Sequence, residues 1–360
     1  VPQAVQAMRV IFDDKDVDAV CIATCDHWHA LATIWACQAG KDVYVEKPTA
    51  LNMFESRKMI EAARKYNRIV QAGTQNRTAP YIRKAVEYIQ SGAMGKVSLV
   101  KVYNMKEGGP YACPPDSEQP KDVNYDLYLG PAPTRPFNRG HFHDGWKMYW
   151  DYSRGDIGDD SSHQLDIARW LIGDKPSPKA VNCSGGHIAF HDDREVPDTL
   201  FTTFEYDDVI MTLELTQWTP YEHKAPGNVR DNDLFPDWMW NGDRIEIYGS
   251  RAFMFLGRHG GGWQAFNGRG EVTNQEFGRQ VSNEHRDNFL ECVRSRNLPN
   301  ADIAIAHQSV QLVHLASIGA QLGGRRLVFD GETESFPNDP EANALCTRVY
   351  REPFVVPETV

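Results

Sequence analysis

Apolar positions along the chain change their spacing twice, and the changes divide it into parts. Val5, Met8, Ile11 and Phe12 recur at helical intervals, so the chain opens in an amphipathic helix. Residues 17–24 form a short apolar, β-branched run, as expected of a strand buried on both faces. HWHALATIWACQAGK (27–41) predicts a helix closed by Gly40, and DVYVE (42–46) predicts a second buried strand. LNMFESRKMIEAARKYN (51–67) predicts another helix and RIVQAGTQ (68–75) a third strand. Helices alternating with short buried strands imply a parallel sheet with crossover helices.

Beyond this point the strands follow one another more directly. SLVKVYN (98–104), AVNCSGGHIAF (180–190), TLFTTFEYDD (199–208), VIMTLELTQW (209–218), RIEIYGS (244–250) and RAFMFLG (251–257) predict an open, mainly antiparallel sheet with helices on one face. Helices are expected over about 159–172, 284–295 and 301–322, after a long aromatic stretch from 111 to 150. The glycine-rich LGRHGGGW (256–263) lacks G-x-G-x-x-G spacing and lies between late strands, so it predicts a tight hairpin. The fold class is therefore α/β plus α+β. Residues 1–76 form a parallel unit, 77–330 an α+β unit, and 331–360 a Pro-rich irregular tail.

Composition narrows the function. With 41% hydrophobic and 24% charged residues the chain is ordinary globular material. A formal net charge of −11 disfavours phosphate backbones, so no nucleic-acid partner is expected. No apolar run approaches the roughly 18 residues that cross a bilayer, so no membrane partner is expected either. The seven cysteines are scattered, which predicts buried thiols rather than a zinc site or disulfide framework. The opening residues are no signal peptide. A cytoplasmic location is expected, with periplasmic export left open because a signal would precede residue 1.

Candidate chemistry sits at strand ends. In open parallel sheets, ligands bind beyond the carboxyl ends of the strands. Three such ends are polar: Thr24 to His29, Glu46-Lys47-Pro48, and Gly73 to Arg77. A lysine fixed there by a following proline is unusual for a core strand. Further on, GDIGDDSSHQLDIARW spaces Asp159 and His163 four apart, with Asp166 three further. On one helix face these groups would point into a common gap, an expensive arrangement unless they are paired or used. HFH (141–143) has no carboxylate or cysteine spaced to complete a site, so no metal is expected.

IATCDHWHA, VEKPTALN and QAGTQNR, with DLYLGPAPTRPFN, GDIGDDSSHQLDIARWLIG, IEIYGSRAFMFLGRHGGGW and NFLECVRSRNLPNADI, resemble the Gfo/Idh/MocA oxidoreductases over essentially the whole chain. The resemblance implies a Rossmann-type nucleotide unit and hydride transfer between NAD, or NADP, and a secondary alcohol of a sugar, glycoside or polyol. It implies Lys47, Asp159 and His163 as catalytic residues. Cofactor contacts would come from Thr24, Asp26, Trp28, His29, Glu46, Lys47, Pro48, Gln75 and Asn76. Substrate contacts would come from Lys47, Trp150, Tyr152, Asp159, Ser161 and His163. Histidine would take the hydroxyl proton, Lys47 would stabilise the alkoxide with Glu46 keeping it charged and aimed, and Asp159 would orient the substrate or tune His163. Many relatives carry glycine where Ser161 stands, which leaves the substrate open.

Family members begin with a strand and a glycine-rich turn that hold the pyrophosphate. Neither is present, so the chain reads as N-terminally truncated by roughly 60–90 residues at about 30 per βαβ unit. The alternatives are an NAD-dependent glycosidase working by transient oxidation and elimination, or a non-catalytic sugar-binding relative. A homo-oligomer, dimer or tetramer, through the antiparallel sheet is also implied.

Overall fold

The computed structural model describes residues 4–143 and 145–360. Three strands, β1 (Ala19–Ile22), β2 (Asp42–Val45) and β3 (Val70–Ala72), pair in parallel in that order. The helices Asp26–Gln38 and Met53–Lys65 cover one face, packing Leu31, Ile34 and Met59 on Val43, Val45 and Val70. Asn52 caps the second helix by accepting from the Glu55 N–H. Gly40, at φ +80°, turns the chain out of the first. On the opposite face, Tyr44 meets Phe289 of the Asn283–Ser295 helix edge-on at 5.9 Å. β1 is an edge, and its residues are less covered than the apolar run implied. Ala19 and Val20 are half-buried and Cys21 is exposed.

The second sheet has nine strands. They are β4 (Val97–Met105), β5 (Ala180–Gly186), β6 (Thr199–Glu205), β7 (Ile210–Thr216), β8 (Arg244–Gly249), β9 (Phe253–Gly257), β10 (Trp263–Phe266), β11 (Val272–Glu276) and β12 (Leu327–Val328). Their order is β11-β10-β9-β8-β4-β7-β6-β5-β12, antiparallel except for the parallel β4–β7 pair. Alternation along β4 sends Val100, Val102 and Asn104 to one face and Lys101 and Tyr103 to the other. The first face is covered by the Ser161–Leu171 and Ile303–Gln321 helices, whose Leu165, Ile167 and Leu315 enter the core with Val102 and Leu213. Each such aliphatic side chain contributes about 1.5–3 kcal/mol by leaving water.

Several details depart from the sequence expectations. The Pro80–Gln90 helix was not foreseen; its proline occupies the first turn, where the missing N–H costs nothing. β10, β11 and β12 also escaped notice. The first helix spans Met8–Asp13, leaving Val5 outside it. All seven cysteines are free, but only Cys37, Cys183 and Cys292 are buried, which corrects the expectation of uniformly buried thiols. The tail is largely irregular yet docked: Phe354 packs on Trp28 at 5.4 Å, and Val356 and Val360 enter the core of the first unit.

Candidate active site

The chain reaches the site from the carboxyl ends of β1 and β2 and from the turn before the Ser161–Leu171 helix. Beyond β2, the half-buried Lys47 precedes Pro48 in a cis peptide. His29, fully enclosed, ties two loops together: Nδ1 lies 2.7 Å from the Pro48 carbonyl and Nε2 3.0 Å from the Thr24 carbonyl. Burial lowers the His29 pKa against the pull of those two carbonyls. The opposing turn needs Gly155, at φ +56°, where a Cβ would strike Val196 at 2.8 Å. Asn104 of β4 anchors this turn by donating to the Asp156 carbonyl and the Ser161 hydroxyl at 3.1 and 2.7 Å.

These two segments meet through charge. Lys47 Nζ lies 2.5 Å from Asp159 Oδ1 and donates to the Asp159 carbonyl at 2.9 Å. Lys147 takes the other oxygen, Oδ2, at 2.5 Å. Burial pushes the Asp159 carboxyl up, but Lys47 and Lys147 outweigh it and hold the pKa down to about 2. Asp156 and Asp160 lie alongside, their carboxylates within 4.8 Å of one another and of Asp159. Lys106 bridges both at 2.7 and 3.0 Å, and Lys224 reaches Asp160 at 2.6 Å. Four ammonium groups thus surround three carboxylates, and the cluster is satisfied by the protein's own cations.

His163 is buried beside this cluster, in the first turn of its helix, and its Nδ1 has no hydrogen-bond partner among the described residues. Burial first, then the charges of Arg258 and Lys47, push its pKa well below the ordinary imidazole value. Both effects favour the neutral ring over the imidazolium. Arg258 and His259 come from the β9–β10 hairpin, the glycine-rich LGRHGGGW segment, whose Gly260, Gly261 and Gly262 all have positive φ. Arg258 Nη1 lies 2.8 Å from His259 Nδ1, which also bonds to Asp243.

Other residues expected here occupy different places. Asp166 points away: it accepts from Arg77 at 2.9–3.0 Å and from Ser309 at 2.6 Å in a buried ion pair. The expectation that it shares the His163 gap is corrected, because three positions along a helix carried it to the Arg77 side. Asp159 itself lies before the helix, which starts at Ser161. Glu46 makes no ion pair with the Lys47 ammonium; its carboxylate accepts weakly from the Lys47 N–H at 3.3 Å and faces Gly73. Ser161 is fully buried, with its hydroxyl bonded to the Asp156 carbonyl and the Asn104 amide, so it underlies the turn.

Asp26 is buried at the first turn of its helix, bonded to Ser153 at 2.8 Å. Burial pushes its carboxyl up to about 7, with Asp159 adding to the effect. Trp28 is buried and donates to the Leu127 and Tyr128 carbonyls. Tyr152 is buried among His27, Tyr128 and His141, and Trp150 lies against a separate cavity described below. Gln75 donates to the Tyr44 hydroxyl at 3.2 Å and Asn76 to the Arg258 carbonyl at 2.8 Å. Thr24 is exposed at its strand end. His141 of the HFH segment packs on Tyr149 at 4.1 Å.

Sequence reasoning missed Lys106, Lys147, Lys224, Asp156, Asp160, Arg258 and His259. The DD pair beside Asp159 was a visible signal. The lysines and the hairpin come from distant parts of the chain, and only the folded sheet assembles them.

The N-terminal 74 residues match the model of the oxidoreductase family's NAD-binding Rossmann fold. Residues 92–211 and 270–356 match its C-terminal alpha/beta domain. A levoglucosan dehydrogenase from Pseudarthrobacter phenanthrenivorans is 30% identical over 174 residues, covering 48% of this chain and 37% of that protein. A scyllo-inositol 2-dehydrogenase (NAD(+)) from Bacillus subtilis is 25% identical over 252 residues, covering 69% and 57%. The chain thus spans well under two thirds of the length of these curated relatives. Among solved structures, the WlbA dehydrogenase from Bordetella pertussis in complex with NADH and UDP-GlcNAcA superposes with a TM-score of 0.62 at 18% identity, over 90% of this chain and 83% of that one.

Proposed function

The chain belongs to the Gfo/Idh/MocA oxidoreductase family, and on that premise we propose that it transfers hydride between a nicotinamide cofactor and a secondary alcohol of a sugar or polyol. The observation that carries this reading is the meeting of Lys47 and Asp159 from two separate units of the fold, with His163 buried beside them.

Residues at the strand ends fit the cofactor. An open cavity of about 560 Å³ runs over Val20 and Tyr44 to Glu46 and Gln75, with Phe289 and Arg286 opposite. Its apolar floor and polar edge suit a flat ring carrying hydroxyl-bearing sugar. NAD or NADP, when bound, takes up or returns the hydride. The chain's own work is to place the alcohol and handle its proton. Lys47, held by Asp159, donates to the substrate oxygen and stabilises its developing negative charge. His163, kept neutral by burial and by Arg258, accepts the hydroxyl proton. Asp159 and Lys147 fix the lysine head, so that little reorganisation accompanies the reaction.

The open face of the second sheet supports self-association as a further part of this reading. Tyr248, Phe253, Phe255 and Phe266 form a partly exposed aromatic row with ring separations of 4.5–6.2 Å, and Phe201 is exposed on β6. Among the described residues no helix is long and apolar enough to cross a membrane.

The test is an assay with NAD⁺ and NADP⁺ against inositols, anhydrosugars and glycosides, reading nicotinamide reduction. Saturable reduction with one polyol class is expected. A folded protein that reduces neither cofactor with any of them would overturn the reading.

A further inference from the structure

Behind the Lys47–Pro48 turn lies a cavity that the proposed reaction does not use. Its volume is about 150 Å³, and its walls include Arg154, Arg348, His314, Leu51, Trp150 and Gln321. Arg154 stands one layer behind the turn: a Cβ on Gly158 would meet the Arg154 Cβ at 3.0 Å and Pro48 Cγ at 3.2 Å.

The two guanidiniums in this cavity are not equally paired. Arg348 pairs with Glu55 at 2.8 Å, and the other Glu55 oxygen accepts from the Leu51 N–H. Asp151 also lines the wall, but its carboxylate pairs with Arg135. Arg154 has no carboxylate partner among the described residues: Nη1 donates only to the Trp150 and Ser153 carbonyls, at 2.7 and 3.1 Å. His314 is 1% exposed, and neither ring nitrogen has a partner among the described residues. Arg348 Nε is likewise buried and without a partner among the described residues. Three nitrogen-bearing side chains therefore line one small space, and one of its two guanidiniums, Arg154, has no carboxylate in contact among the described residues. Enclosed polar groups of this kind are costly unless something satisfies them.

We propose that this cavity binds a small oxyanion, of the size of phosphate or sulfate, between Arg154, Arg348 and His314. The volume admits one tetrahedral anion and excludes a nucleotide. Guanidinium forks match its oxygens, and His314 has a nitrogen to donate. Because the same arginine backs the Pro48 turn, occupancy would also stiffen the loop that carries Lys47.

Isothermal titration of the protein with inorganic phosphate at fixed ionic strength tests the proposal, with acetate as the carboxylate arm and chloride as the background anion. One phosphate per chain is expected, with the Kd raised at least tenfold in Arg154→Gln and unchanged in Lys224→Gln, which alters the separate aspartate cluster. Acetate binding tenfold tighter than phosphate would replace the tetrahedral anion by a carboxylate and overturn the assignment. Equal phosphate affinity in wild type and Arg154→Gln, or no saturable binding, would also overturn it. Should Arg154→Gln fail to fold, a selenate-soaked crystal of the wild-type protein decides: anomalous density between Arg154 and His314 supports the site, and its absence there refutes it.

Discussion

Asp166→Ala separates the structural reading of the Ser161–Leu171 helix from the reading its spacing invites. Asp166 and Arg77 expose 1% and 3% of their side chains, and Arg77 Nε and Nη2 both donate to the carboxylate. Ser309 adds a third donor at 2.6 Å. Arg169 and Asp174 complete the group: two buried guanidiniums face Asp166 and the half-exposed Asp174. Removing Asp166 leaves two cations with one carboxylate, and that one is partly in water. Breaking a buried pair from one side costs about 3–5 kcal/mol. At roughly 2–4 °C per kcal/mol for a unit of this size, Tm should fall on the order of 10 °C. Scanning calorimetry of wild type, Asp166→Ala and Asp166→Asn measures this, and steady-state turnover is read well below the transition. The expected result is a large loss of stability with kcat of the folded protein within about threefold of wild type. A stable variant without turnover would refute the reasoning and return Asp166 to the His163 gap.

Lys47→Met should leave the fold intact and slow turnover by about 10²-fold or more, the size typical of losing one preorganised donor; kinetics within twofold of wild type would contradict its role. Arg258→Met removes a cation that depresses His163, so the acid limb of the kcat/KM pH profile should move to higher pH, and an unmoved limb would remove Arg258 from the account. Burial lowers the pKa of His27 (to about 3), His163 and His314 in the fold, whereas each protonates near 6.5 once unfolded. Stability from these groups is full above that pH and is lost as pH falls through it. Asp26, raised to about 7, works oppositely and offsets about one proton. The lowered histidines outnumber the one raised carboxyl, so stability should fall from pH 7 to pH 5.5, and equal denaturant midpoints at the two pH values would refute it. Sedimentation should show a dimer or larger at micromolar concentration, and Phe201→Glu should weaken it; a wild-type monomer would set the open sheet face aside.

Much of the fold was legible because burial writes itself into spacing. β2 and β3 are buried on every residue and read as continuous apolar runs. β6 shows the alternation of a half-covered sheet. What escaped notice has weak local signal: β11 is mostly exposed and β12 has two residues. Lys47 and His163 could be singled out because a charge at a strand end and a carboxylate four residues before a histidine are locally odd. Their neighbours were illegible for a different reason. Lys106 follows β4, Lys147 comes from the aromatic stretch, Lys224 from a loop and Arg258 from a hairpin. Each is an ordinary surface-type residue until the sheet order brings it to the aspartates. Asp166 misled because helical spacing fixes an angle around the axis but not which neighbour fills that side.

The central claim is that Lys47 and His163 serve direct hydride transfer from a substrate carbon to the nicotinamide. The most direct measurement uses a polyol turned over by the protein, deuterated at the reacting carbinol carbon, with NAD⁺ as acceptor. Mass spectrometry of the recovered nicotinamide should find one deuterium per product, on a single face, formed about 10²-fold more slowly with Lys47→Met. Product formed with no deuterium in the cofactor, or deuterium transferred equally fast by wild type and Lys47→Met, would contradict it.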